Sequence, residues 1–132
     1  FGIKNANYVI GNDYEMELIR QRMKDQNLLE SVKILITTLG EKGSTIQTKD
    51  QTLQVQAAKP NQVLDPTGAG DAYRAGFLAG FTKGLDLRTC GQMGSVTACY
   101  TIEKYGTTNH KFSVEEFKIR YKQNFGEELK LP

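Results

Sequence analysis

Val63-Leu64-Asp65-Pro66-Thr67-Gly68-Ala69-Gly70-Asp71-Ala72-Tyr73-Arg74-Ala75-Gly76 is the stretch around which the chain organises. Val63-Leu64 reads as a short strand leading into Asp65-Pro66. Gly68-Ala69-Gly70 reads as a turn, and Asp71 opens a helix predicted to run to about Lys83, where Gly84 stops it. Glycines allow backbone angles that turn successive amide N–H groups towards one point. The helix that follows adds its own unpaired N–H groups and the positive end of its dipole. Together these make a cradle for a phosphate. A carboxylate at Asp71, beside a bound phosphate, can take the proton of an attacking hydroxyl while the amides hold the charge of the transferred phosphoryl. A plain glycine turn with Asp71 as the helix cap explains the same residues equally well. The common nucleotide motifs are absent: no Gly-x-x-x-x-Gly-Lys-[Ser/Thr] occurs, and Tyr73 stands where a dinucleotide fingerprint has its third glycine.

On both sides of this stretch strands and helices alternate. Tyr8-Val9-Ile10 reads as a buried strand ending at Gly11, after which Asn12 or Asp13 caps a helix to about Lys24 with Glu15 in its first turn. Val32 to Thr38, with Ile34-Leu35-Ile36 in a row, predicts a strand covered on both faces and broken by Gly40 and Gly43. Ser44 to Thr48 and Thr52 to Gln56 predict a hairpin turning at Asp50-Gln51. Leu87 to Tyr105 predicts a helix, followed by a loop over 106–110. Ser113 with Glu116 forms a capping box for a last helix to about Asn124, with Phe117 and Tyr121 on its packed face. The pattern implies an α/β layer structure with a partly parallel sheet, forming one domain or one piece of one.

Composition narrows the function classes. The 132 residues suit one compact domain, and the net charge of +2 is too small to argue for nucleic acid or a membrane surface as partner. No run of about 18 apolar residues is present to span a bilayer. Cys90 and Cys99 fall nine positions apart in one predicted helix, beyond the reach of a disulfide, and two free thiols suit a reducing cytoplasm. His110 is the single histidine, which argues against a zinc site. Arg74, in the first turn of the Asp71 helix, is placed to approach a phosphate but reads more simply as solvated, and His110, like Tyr105, invites a role that a lone loop residue does not need.

The run from Asp65 to Gly76 closely resembles the second signature of the ribokinase and phosphofructokinase-B family of carbohydrate and nucleoside kinases, which includes adenosine kinase. Asn12-Asp13-Tyr14-Glu15 resembles the family's Asn-x-x-Glu element, and Thr38-Leu39-Gly40-Glu41-Lys42-Gly43 its Thr-x-Gly-x-x-Gly segment. The resemblance implies a ribokinase-like three-layer fold, a partly parallel sheet flanked by helices. It implies ATP-dependent phosphotransfer to a primary hydroxyl of a sugar or nucleoside, with adenosine favoured over ribose. It makes Asp71 the catalytic base and the amides of Gly68, Ala69 and Gly70 the anion hole. Asn12, Thr38, Gly40, Gly43 and Ser95 become nucleotide contacts, and Glu15 holds Mg²⁺ through water. Some members also bind a monovalent cation such as K⁺, and the matching positions are Asp65, Thr67, Thr101, Lys104 and Gly106.

The resemblance covers nearly the whole chain but only the C-terminal portion of a family member, and the chain opens at Phe1. Full-length members carry upstream a Gly-Gly signature, much of the acceptor pocket and a β-sheet lid, and they allow a homodimer. The expectation is therefore the ATP-handling part of a cytoplasmic kinase, with the 132 residues alone inactive. A non-catalytic nucleotide-binding module, or a structural domain with a degenerate site, is the alternative.

Overall fold

The structure is a computed structural model and describes residues 7–24, 28–104 and 112–132. The chain divides into two compact units, Phe1–Val55 and Gln56–Pro132.

The first unit runs β1 (Tyr8–Asn12), α1 (Asp13–Met23), α2 (Leu28–Ser31), β2 (Ile34–Thr38), a single 3₁₀ turn (Gly40–Lys42), β3 (Ser44–Gln47) and β4 (Thr52–Val55). The strands lie in the order β1-β2-β3-β4. β1 and β2 are parallel, with Tyr8 opposite Ile34 and Asn12 opposite Thr38, and α1 and α2 form the crossover that a parallel pair requires. β3 pairs antiparallel with β2 and with β4, so the sheet is mixed, as expected. Leu35, Ile36 and Thr37 are all buried. Successive strand residues face opposite ways, so β2 is covered on both faces. On one face Met16 and Met23 of α1 meet Leu28, Val32 and Leu35. The β3–β4 turn closes because Thr48 Oγ1 accepts from the N–H groups of Asp50 (3.3 Å) and Gln51 (3.2 Å). The sequence reading has no counterpart of α2, a single turn too short to carry a periodic signal.

The second unit holds α3 (Ala69–Thr82), α4 (Leu87–Ile102) and α5 (Val114–Phe125). Each begins and ends on local chemistry. The side chain of Asp86 accepts from Thr89 N (2.8 Å) at the start of α4, and Ser113 Oγ accepts from Glu116 N (3.1 Å) at the start of α5. Gly84 (φ 76°) follows α3 and Gly126 (φ 74°) follows α5, in the left-handed region that glycine enters without penalty. α3 and α4 approach backbone to backbone. A Cβ on Gly76 would stand 2.4 Å from Thr97 Oγ1 and 2.7 Å from the Met93 carbonyl, and one on Gly94 would stand 2.8 Å from the Tyr73 carbonyl. The core gathers Ala58, Met93, Val96 and Cys99 with Phe117, Tyr121 and Leu129. Cys90 and Cys99 are free and buried, and burial pushes both thiols up to about 11.

Three boundaries differ from the sequence reading. Residues 63 and 64 form no strand: Val63 is exposed, and the N–H groups of Leu64 (2.8 Å) and Asp65 (3.0 Å) both donate to the Ile102 carbonyl at the end of α4. Two apolar residues followed by Pro66 are too few to hold a ladder. α3 begins at Ala69 rather than Asp71 because Gly68, left-handed at φ 84° and ψ 1°, is the residue that turns the chain into the helix. α4 ends at Ile102, short of Tyr105. The sequence expectations for Tyr105, Gly106 and His110, and for the loop over 106–110, lie outside the described residues.

Candidate functional site

The candidate residues fall into two groups, one in each unit. In the first unit they collect at the carboxyl ends of the parallel pair β1 and β2, the end at which open α/β sheets bind ligands. Asn12 closes β1 and caps α1. Its Oδ1 accepts from Glu15 N (2.7 Å), and Glu15 Oε2 accepts from Asn12 N (3.1 Å), a reciprocal capping box. Gly11 permits this, since a Cβ there would stand 2.9 Å from Glu15 Oε2. Thr38 is the register partner of Asn12, and its Oγ1 donates to the Gly11 carbonyl (3.5 Å). The chain then reverses through Gly40 (φ 60°) and Gly43 (φ 93°), with Leu39 N donating to the Gly43 carbonyl (2.8 Å). Register therefore brings Asn12, Glu15 and Thr38 together, with the Gly40–Gly43 turn directly after β2.

In the second unit, Asp65 Oδ1 accepts from Thr67 N (2.9 Å), an Asx turn that folds the chain over Pro66. The Pro66 carbonyl takes the Ala69 N–H (3.2 Å) and the Gly68 carbonyl takes the Ala72 N–H (2.9 Å). Ala69, Gly70 and Asp71 are thus the first three residues of α3, where helix geometry leaves N–H groups without an intrahelical acceptor. A Cβ on Gly70 would meet nothing within 4 Å. The fold has no steric need of glycine at that position.

The Asp71 side chain is 84% exposed, and its Oδ1 accepts from Arg74 Nη1 at 2.9 Å, one turn along α3. An ion pair this exposed contributes about 0–1 kcal/mol. Asp71 is not the helix cap, because Gly68 holds that place. The plain reading of Asp71 as an N-cap is therefore excluded. Arg74, whose side chain is 40% exposed, is this carboxylate's partner at the surface.

The remaining candidates lie on α4 and just past its end. Ser95 Oγ accepts from Ala58 N (2.7 Å), so part of its hydroxyl is committed to the backbone. Thr101 is buried, with Oγ1 directed to the Thr97 carbonyl (3.5 Å), while Lys104 is exposed and its N–H meets the Thr101 carbonyl (3.3 Å). Among the described residues no cluster of three His, Cys, Asp or Glu could hold a metal. A Mg²⁺ ion held by substrate phosphates and water, with one protein carboxylate, needs no such cluster. A cavity of about 480 Å³ lies at the amino end of β2, beside Ser31, Lys33 and Asp50, and contains none of the candidates.

Sequence reading passed over Glu103 and Arg120. Both are buried and face each other, with Arg120 Nη1 donating to Glu103 Oε1 (2.6 Å) and Nη2 to Oε2. Asn61 N also donates to Glu103 Oε2 (2.6 Å). Burial pulls the Glu103 carboxyl up, but Arg120 and the Asn61 N–H outweigh it and leave the group below its ordinary range. The available signal was an arginine on the packed face of α5, between Phe117 and Tyr121.

A family model described as pfkB family carbohydrate kinase matches residues 2–113. The chain is 42% identical over 106 residues to a nucleoside kinase of Methanocaldococcus jannaschii, covering 79% of this chain and 35% of the relative. The solved nucleoside kinase of Burkholderia thailandensis in complex with inosine matches with a TM-score of 0.90 at 34% identity, over 93% of this chain and 42% of that one. Ribokinase from Thermotoga maritima, at 21% identity and a TM-score of 0.74 over 88% of this chain and 42% of that one, shares the fold. The chain spans less than half the length of each of these relatives. With most of its length matched to the family model and its ribokinase-like α/β fold matched in three dimensions, the chain belongs to the pfkB family of carbohydrate kinases.

Proposed function

We propose that the chain supplies the phosphate cradle and the base of an ATP-dependent kinase whose acceptor is the primary hydroxyl of a nucleoside or sugar, purine nucleosides such as adenosine first. The observation that carries this reading is the start of α3. Gly70 faces open space at a helix N-terminus, and the Asp71 carboxylate beside it is exposed and unused as a cap. In this reading the amides of Gly68, Ala69 and Gly70 hold the terminal phosphoryl of ATP, and charge growing on it is met by fixed dipoles. Asp71 accepts the proton of the acceptor hydroxyl as that oxygen attacks phosphorus and ADP leaves. Arg74 keeps the carboxylate oriented in the resting protein.

Asn12, Thr38, Gly40, Gly43 and Ser95 are the assigned nucleotide contacts, Ser95 through the hydroxyl capacity that Ala58 leaves. Glu15 would reach Mg²⁺ through water, the ion supplying charge neutralisation to the phosphates. A monovalent cation would use Asp65, Thr67, Thr101, Lys104 and Gly106. Purine nucleosides lead because a relative 42% identical over 106 residues and a solved neighbour with a TM-score of 0.90 are nucleoside kinases, the latter solved with inosine.

The test is an acceptor screen on the longest gene product containing this chain, reading ADP release with adenosine, inosine, cytidine and ribose. Asp71→Asn should lower turnover by about 10²- to 10⁴-fold, the usual scale for a general base. Unchanged turnover in that variant removes Asp71 from the mechanism. ATP binding with no acceptor-dependent ADP release makes the chain a nucleotide-binding module instead.

A further inference from the structure

Residues 56–65 form neither helix nor strand, yet they deliver the chain to Pro66, Thr67 and Gly68. A segment without a ladder is placed by whatever satisfies its backbone groups. Here those partners come from α4 and α5. Ala58 N donates to Ser95 Oγ (2.7 Å), and the Ala58 carbonyl meets Cys99 Sγ (3.2 Å). Lys59 N donates to Asn124 Oδ1 (2.8 Å). Asn61 N donates to Glu103 Oε2 (2.6 Å), and the N–H groups of Leu64 and Asp65 converge on the Ile102 carbonyl. The last two ties come from adjacent residues, Ile102 and Glu103, and they grip the segment just ahead of the Asx turn. Glu103 is itself fixed by both terminal nitrogens of Arg120, whose guanidinium carbon lies 4.7 Å from the centre of the Tyr100 ring. Tyr100 in turn stacks on Phe112 at 4.3 Å.

We propose that Glu103, clamped by Arg120, is a positioning residue: it fixes residues 61–65 against the end of α4 and thereby sets the geometry of the Gly68–Asp71 phosphate cradle. Stability alone does not account for the pair. Well-packed apolar residues can replace a buried ion pair without loss of stability, whereas a carboxylate offers directed acceptors for an arginine and for a neighbouring N–H at once. The ionic pair gives the irregular segment one defined position. The inference rests on the reading of residues 68–71 as the phosphate site.

Amide hydrogen exchange and ATP calorimetry on the longest gene product containing this chain test it. Wild type is compared with Glu103→Leu/Arg120→Met, which removes the charges but fills the space, and with Glu103→Gln, which keeps an oxygen for Asn61 N–H. In the double variant Asn61, Leu64 and Asp65 should exchange at least about tenfold faster, the loss expected for one charge-assisted hydrogen bond. Protection at Phe77 and Val96 in the helices should stay as in wild type. ATP affinity should fall by a similar factor, and Glu103→Gln should recover part of both effects. Unchanged exchange at Asn61, Leu64 and Asp65 overturns the positioning role, as does faster exchange with unaltered affinity. Loss of protection throughout α3 and α4 also overturns it, because the pair is then only a stability element. A wild-type chain that does not bind ATP sinks the kinase reading instead, and the exchange data then still decide whether Glu103 holds the segment.

Discussion

Replacing Gly70 by alanine separates the demands of the fold from those of a ligand. A Cβ at this position meets no atom within 4 Å, so the substitution carries no steric cost inside the protein. Gly70 lies in the first turn of α3, and alanine is the better helix former by up to about 1 kcal/mol. The variant should therefore be as stable as wild type or more stable, by roughly 0.5–1 kcal/mol, which raises Tm by a few degrees in a domain of this size. In the cradle reading a methyl group at residue 70 obstructs the approach of a phosphoryl oxygen to the backbone. Losing one hydrogen bond to a charged group costs about 1.5–3 kcal/mol, so ATP should bind about tenfold to 150-fold more weakly. Gly68→Ala is the contrasting variant. It forces a side chain into φ 84°, a left-handed conformation that disfavours a Cβ by about 1–2 kcal/mol, and should destabilise the chain. Thermal unfolding and calorimetric titration with ATP measure both quantities. A Gly70→Ala chain that binds ATP as wild type does would refute the assignment of this amide to the cradle. A destabilised one would refute the claim that the fold leaves the position free.

Gly76→Ala should behave in the opposite way. Its Cβ would press on Thr97 Oγ1 at 2.4 Å and on the Met93 carbonyl at 2.7 Å, so α3 and α4 must separate, at a cost of about 1–3 kcal/mol in urea unfolding. Stability equal to wild type would contradict the close helix approach. Acid should act partly through Glu103, whose carboxyl is held below its ordinary 4.5, against burial, by Arg120 and Asn61 N–H. A depressed carboxylate contributes stability that is present above the unfolded-state value and is lost as pH falls through the folded one. Wild type should therefore lose more stability than Glu103→Gln as the pH is lowered from neutrality to below 4.5, and parallel curves would deny the pair this role.

The reading of the chain succeeded where the signal is local. Asn12 with Glu15, Ser113 with Glu116 and Thr48 with Gln51 are partners three residues apart, so the amino-acid order alone places the caps of α1 and α5 and the β3–β4 turn. Ile34-Leu35-Ile36 marked β2 as covered on both faces before any neighbour was known. The candidate phosphate site was drawn from the same kind of signal, because Asp65 to Asp71 is one continuous run. Its local geometry was not. The helix was expected to start at Asp71, and only the left-handed Gly68 shows that Asp71 sits inside the first turn with its carboxylate free of the cap.

By itself, the order of residues determined most of the helices and strands, α2 and the irregular residues 63–64 excepted, where most of them start and stop, and which kinase family the chain resembles. Those properties depend on hydrogen bonds and turns spanning a few positions. Tertiary structure alone decided that Glu103 meets Arg120 across 17 positions and Asn61 across 42, that Ser95 serves Ala58 across 37, and that Gly76 and Gly94 are contact points rather than weak places in a helix. Such contacts depend on how elements pack. A packing glycine looks like its solvent-exposed counterpart until a neighbouring helix lies against it, and the helical position of Arg120 marks the packed face of α5 without naming its partner.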